Sequence, residues 1–155
     1  MNHLEIYIDG ASKGNPGHSG VGIVILRAGK VIKNISGYIG KTTNNVAEYT
    51  ALIYALEEAL LLKANSLKIN TDSQLLVRQL NKIYKIKHLG LISLYNQATR
   101  LLTGFQKVLI CHIPREENSS ADKLATQVIK KTLSRQNVAA LSQKQGGKSG
   151  LQRIA

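Results

Sequence analysis

Four of the nine acidic residues in this sequence, Asp9, Glu48, Asp72 and Asp122, stand at the ends of expected strands or in the first turns of expected helices. Taken singly, each has a purely structural explanation. Asp9 precedes Gly10 and suits a turn. Asn45–Glu48 and Ser119–Asp122 have the shape of capping boxes, and Asp72 suits a helix N-cap. Taken together, the four suggest chemistry. Ligands of α/β sheets gather at the carboxyl ends of strands; Asp9 and Asp72 end strands, and helices bearing Glu48 and Asp122 are able to lean over that edge. Carboxylates a few ångströms apart raise one another's pKa, a penalty that divalent cations remove. An all-oxygen ligand set without thiolate or imidazole selects Mg²⁺, Mn²⁺ or Ca²⁺. Two such ions generate a nucleophilic water and stabilise a leaving oxygen with no side-chain nucleophile, so the quartet points to phosphoryl transfer.

The charge of the rest of the chain points to a polyanionic substrate. Lysine and arginine number 21 against 9 acids, a net charge of +12, and nucleic acid is the default partner for such a surface. Between Asp72 and Glu116 no acid occurs, whereas Arg78, Lys82, Lys85, Lys87, Arg100, Lys107 and Arg115 do. A solvated basic face without a ligand is the alternative explanation, but so large a net charge repels itself.

The elements that must position these residues alternate between strand and helix. His3–Asp9 alternates Leu4, Ile6 and Ile8 with polar neighbours and predicts a strand. Gly10–Gly17 predicts a turn-rich loop. Gly20–Leu26 and Lys30–Tyr38 predict a hairpin around Arg27-Ala28-Gly29. Val46, Tyr49, Ile53, Leu56 and Leu60 recur at helical spacing, and that helix is expected to end near Lys63 or Asn65. Ser66–Thr71 predicts a strand, followed by a helix capped by Asp72-Ser73 and running to about Leu80. The polar, basic stretch Asn81–His88 leads to a helix near Leu91–Thr103. A last strand, Lys107–Ile113, is ended by Pro114, and a final helix runs from Ser119 to about Leu133. The order is βββαβααβα, one mixed sheet with helices on its faces. Residues 1–133 thus form one domain, and the basic tail 134–155, rich in Gln, Ser and Gly, is expected to be mobile. Within it, Gly147-Lys148-Ser149 imitates the end of a phosphate loop, but Ser142 replaces the first glycine and no strand precedes it.

Composition excludes several other classes. With 43% hydrophobic and 19% charged residues the chain has the make-up of a globular domain. Its apolar runs are too short to span a membrane. The start, MNHLEIYIDG, has neither a basic n-region nor an apolar h-region, so no secretory leader is expected. The lone Cys111 cannot form an internal disulfide, which fits a reducing cytoplasm, and without a Cys/His cluster no structural zinc site is expected.

Four segments carry a resemblance to a known family. Ile6–Gly17 (IYIDGASKGNPG), Thr43–Leu52 (TNNVAEYTAL), Ile69–Leu80 (INTDSQLLVRQL) and Glu117–Ala125 (ENSSADKLA) together resemble ribonuclease H type 1, in that family's order and spacing, over residues 4 to about 133. The resemblance implies the ribonuclease H-like fold, a mixed five-stranded sheet with flanking helices. It implies that Asp9, Glu48, Asp72 and Asp122 are the acidic metal ligands, with Asp9 between two Mg²⁺ or Mn²⁺ ions. It further implies cleavage of the RNA strand of RNA–DNA hybrids to 5′-phosphate and 3′-hydroxyl ends.

By the same match, Asn15, Asn44, Asn45 and Gln74 resemble minor-groove contacts, Thr43 resembles a DNA-strand phosphate contact, and the backbone of Gly10–Lys13, Ser12 included, lies where the family meets RNA 2′-hydroxyls. Such residue types fit these contacts, because 2′-hydroxyls mark one strand as RNA. Amides suit a minor-groove edge whose pattern is degenerate, so cleavage should be nearly sequence-independent. The chain departs from many bacterial members in having no Trp and only a short stretch, Asn81–His88, where they carry a basic protrusion; Tyr84 and its flanking lysines are the candidate substitute. It resembles the compact subgroup, in which Arg115 rather than His112 is the candidate for touching the scissile phosphate. A monomer is expected. The alternatives are an enzyme that also cleaves double-stranded RNA, the nuclease part of a reverse transcriptase, which a start directly before the first strand disfavours, and a non-catalytic basic nucleic-acid-binding module.

Overall fold

Strand β1 (His3–Lys13) runs through the centre of the molecule because its neighbours on both sides need it. It pairs antiparallel with β2 (Gly17–Arg27) over Glu5–Lys13 and parallel with β4 (Ser66–Thr71) over His3–Tyr7. With β3 (Lys30–Thr42) outside β2 and β5 (Lys107–His112) outside β4, the sheet order is β3-β2-β1-β4-β5. Helices α1 (Asn44–Leu61), α2 (Gln74–Leu80), α3 (Leu89–Leu102) and α4 (Ser119–Ile154) complete the βββαβααβα order expected from the sequence. The computed structural model describes residues 2–82 and 85–154; Tyr84 lies outside them. No helix among the described residues is long and apolar enough to cross a membrane.

Side-chain alternation decides which face of the sheet is covered by what. Leu4, Ile6 and Ile8 of β1 and Leu67 and Ile69 of β4 are buried with Leu52 and Leu56 of α1, each such side chain contributing about 1.5–3 kcal/mol. β2 is buried on both faces from Ser19 to Ile25, because α4 crosses its other side. That crossing depends on glycine: a Cβ at Gly22 would lie 2.0 Å from the Ala121 carbonyl oxygen, and one at Gly20 2.6 Å from that of Ala125.

Several boundaries differ from expectation: β2 begins at Gly17 and β3 runs on to Thr42. β1 does not stop at Asp9, since Gly10–Lys13 continue the ladder against Val21–His18; the expected loop is reduced to the turn between Lys13 and Gly17. α1 ends at Leu61, with Lys63 at φ 59° turning the chain back. α4 does not end near Leu133 but continues to Ile154; residues 130–145 contain neither proline nor glycine, so nothing in them stops a helix.

Candidate active site

The carboxylates come together where the parallel pairing of β1 ends. β4 accompanies β1 only as far as the Tyr7–Asn70 pair; Asp9, two residues further along β1, and Asp72, just past the end of β4, line one opening there. Glu48 is brought over the same opening by α1. One carboxylate oxygen from each of Asp9, Glu48 and Asp72 lies within 4.8 Å of the others. Asp122, in the first turn of α4, is outside this tightest group, yet it hydrogen-bonds with Asp9 and lines the same cleft.

At the starts of α1 and α2 the acids are not the caps. Thr43 is the N-cap of α1, its hydroxyl accepting from the Val46 amide at 3.3 Å, so Glu48 lies beyond the third helical position and reaches into the cleft. Ser73, not Asp72, caps α2 by accepting from the Leu76 amide at 3.1 Å. Tyr49 on α1 donates to Gln79 Oε1 on α2 at 2.5 Å in a buried contact that ties together the two helices on either side of the opening; burial pushes the phenol's pKa up, which keeps it a donor.

A metal-free carboxylate cluster of this kind resists ionisation. Burial first, then the charges of Asp72 and Asp122 and the hydrogen bond with Asp122, push Asp9 up to about 8, against a partial pull from Arg115. Burial and the charges of Asp9 and Asp72 hold Glu48 well above the ordinary carboxylate range, while a Gly10 backbone hydrogen bond and Arg115 oppose them. Glu48 Oε2 is buried and has no hydrogen-bond partner. A buried anionic oxygen left unsatisfied is costly, and an oxygen-only cluster with a free lone pair fits a divalent cation.

The cleft holds about 490 Å³ and is lined by the four acids together with Gly10, Ser12, Asn44, Asn45 and Arg115, all expected from the sequence, and by Ser73 and Thr126, which were not. Ser12 Oγ donates toward the Thr42 carbonyl at 2.9 Å. Asn15 is set back from the cleft: its Oδ1 accepts from the Asn44 amide at 3.0 Å, anchoring the start of α1. Thr43 acts as the cap, Lys13 lines an adjoining hollow, and Gln74 is an exposed residue at the start of α2. His112 is exposed at the end of β5 and does not line the cleft. Asn118 is a buried residue of the site that the sequence did not single out. Its amide nitrogen donates to the Ile8 carbonyl at 2.8 Å and lies 3.5 Å from Asp72 Oδ2. The signal was a lone amide four residues before Asp122, at the end of a polar loop.

A family model described as reverse transcriptase-like matches residues 7–128. A ribonuclease H of Chlorobium phaeobacteroides is 36% identical over 143 residues, covering 82% of this chain and 95% of that protein. This chain belongs to the ribonuclease H family. Among solved ribonuclease H structures, LC11-RNase H1 in complex with an RNA/DNA hybrid superposes with a TM-score of 0.79 at 39% identity, covering 84% of this chain and 99% of that one. Bifunctional protein Rv2228c of Mycobacterium tuberculosis, which is 40% identical over 126 residues, carries the ribonuclease H match in only part of its length: the present chain covers 35% of it.

Proposed function

We propose that the protein is a metal-dependent endonuclease that hydrolyses the RNA strand of RNA–DNA hybrids to 5′-phosphate and 3′-hydroxyl products, with little regard to sequence. The observation carrying this reading is the convergence of Asp9, Glu48 and Asp72 within 4.8 Å around a buried, unpartnered Glu48 oxygen. Asp9, Glu48, Asp72 and Asp122 would hold two Mg²⁺ (or Mn²⁺) ions. When bound, such ions supply an activated water and stabilise the leaving oxygen.

The chain's own residues orient the substrate. Asn44 and Asn45, at the exposed start of α1, offer amides to the minor groove, and the α1 N-terminus favours a nearby phosphate. Arg115, whose charge is felt at both Asp9 and Glu48, neutralises the scissile phosphate. The Gly10–Lys13 backbone follows the ribose 2′-hydroxyls. Residues 1–133 constitute the catalytic unit, acting as a monomer in the cytoplasm.

The test is digestion of a labelled RNA–DNA hybrid with Mg²⁺ or Mn²⁺, beside an RNA duplex of the same sequence. Cleavage of the hybrid by the wild type and its loss in Asp9→Asn and Asp72→Asn are expected. Full activity in both variants would refute the metal-site assignment. Equal cleavage of the RNA duplex would widen the substrate class, and an absence of Mg²⁺ binding by titration calorimetry would favour a pure binding module.

A further inference from the structure

Beside the catalytic cleft lies a second hollow, of about 310 Å³, whose lysine side chains have no part in the reading above. It shares Ala11, Ser12 and Thr126 with the cleft and is otherwise lined by Lys13, Ile129 and Lys130. Two ammonium groups from different elements, the end of β1 and the second turn of α4 beyond Asp122, thus border one concavity. Both lysines are exposed, and neither forms an ion pair among the described residues. Helical spacing produces the alignment: Asp122, Thr126 and Lys130 recur every four residues and so share one face of α4, which passes from the metal ligand to the hollow.

The charge around the hollow has one sign. Every charged residue after Asp122 is a lysine or an arginine, so α4 leads away from the carboxylates as an acid-free helix. A strand seated with one phosphate at the carboxylates must leave the cleft across its rim, and the shared lining of Ala11, Ser12 and Thr126 makes the hollow a direct continuation of that rim.

We propose that the Lys13–Lys130 hollow is a phosphate subsite for the nucleic-acid strand leaving the catalytic cleft, and that α4 beyond Asp122 extends this contact along the duplex backbone. The proposal rests on the hybrid-nuclease reading and adds to it a second contact on the strand. Its chemistry is that of lysine as a compact, mobile charge for phosphate, which adds affinity without sequence preference.

The experiment measures binding of a labelled hybrid to the full-length protein in Ca²⁺ across a salt series, and cleavage of the same hybrid in Mg²⁺, for wild type, Lys130→Gln, Lys130→Arg and Lys107→Gln. Lys107 begins β5 and lies outside both hollows, so it controls for the loss of any one positive charge. Lys130→Gln is expected to bind roughly three- to tenfold more weakly at low salt, to lower the salt slope by about one, and to raise KM with kcat unchanged. Lys130→Arg should restore affinity. Wild-type affinity and slope in Lys130→Gln, or a loss no larger than that of Lys107→Gln, overturns the subsite while leaving the nuclease reading intact. A wild-type protein that neither binds nor cleaves the hybrid overturns both.

Discussion

The amide nitrogen of Asn118 joins the Ile8 carbonyl, at 2.8 Å, to the Asp72 carboxylate, at 3.5 Å. Ile8 immediately precedes Asp9 on the central strand and Asp72 directly follows β4, so a single buried side chain from the short 3₁₀ turn Arg115–Asn118 links the backbone beside one candidate metal ligand to the carboxylate of another. Asn118→Ala would leave the Ile8 carbonyl buried without a donor, costing about 1–3 kcal/mol in denaturant unfolding. Loss of an outer partner to a carboxylate proposed to bind metal is further expected to lower cleavage activity or Mg²⁺ affinity roughly 10- to 100-fold. A variant with wild-type activity would show that Asp72 is held by other means.

Replacing Asp9 by asparagine should separate function from stability. Activity on hybrid is expected to fall at least about 100-fold, since a charged ligand is lost where charge develops. The metal-free protein should nevertheless be stabilised at pH 8, by about 1–2 kcal/mol, a rise of roughly 3–6 °C in Tm at this chain length. The gain should shrink at pH 5, where the native carboxyl is already neutral. Calorimetric melting at the two pH values checks this.

The same cluster sets the pH dependence of the unliganded fold. Asp9 is raised from 3.8 to about 8 in the native state, so between those values the unfolded chain has released a proton that the native protein retains. Stability of the metal-free protein therefore declines as pH climbs through that window and levels off above it. Glu48, shifted in the same direction, adds to the slope. Protons compete with cations for these oxygens, so the rise in Tm produced by Mg²⁺ should be larger at pH 8 than at pH 5.5. An increment independent of pH would place cation binding elsewhere.

Two glycines should respond differently to the addition of one methyl group. A Cβ at Gly10 would lie 2.2 Å from the Ala47 carbonyl carbon and 2.4 Å from the Glu48 amide nitrogen, so Gly10→Ala must push α1, and with it Glu48, away from Asp9. Gly22→Ala, 2.0 Å from the Ala121 carbonyl oxygen, must lift α4 and Asp122 instead. Each is expected to cost about 1–3 kcal/mol or more. Mg²⁺ affinity measured by calorimetry should suffer more in Gly10→Ala, because Glu48 belongs to the tight carboxylate group and Asp122 does not.

Much of this was legible in the residues. Alternation in His3–Asp9 and the helical recurrence of Val46, Tyr49, Ile53, Leu56 and Leu60 are local signals, and they gave the element order. The four acids were legible because so few acids interrupt a basic chain. What local patterns could not convey was pairing: Gly10–Lys13 reads as a loop by composition and is strand only because Val21–His18 lie alongside it. Thr43 took the cap of α1, and Ser73 rather than Asp72 that of α2, for a similar reason, since several polar residues at each helix start compete for the same amides and tertiary position decides among them. Asn118 gave only a faint local signal, because its partners are 110 and 46 residues away.

Asp9 lies in the middle of β1, bonded to β2 on one side and just past the last β4 pair on the other. Backbone in a central ladder is among the last to exchange its amide hydrogens. The proposed reacting centre is therefore anchored in the slowest-opening part of the molecule rather than on a lid, so on heating, catalytic competence and the global fold should disappear at one temperature, with no inactive but still folded species preceding the melt.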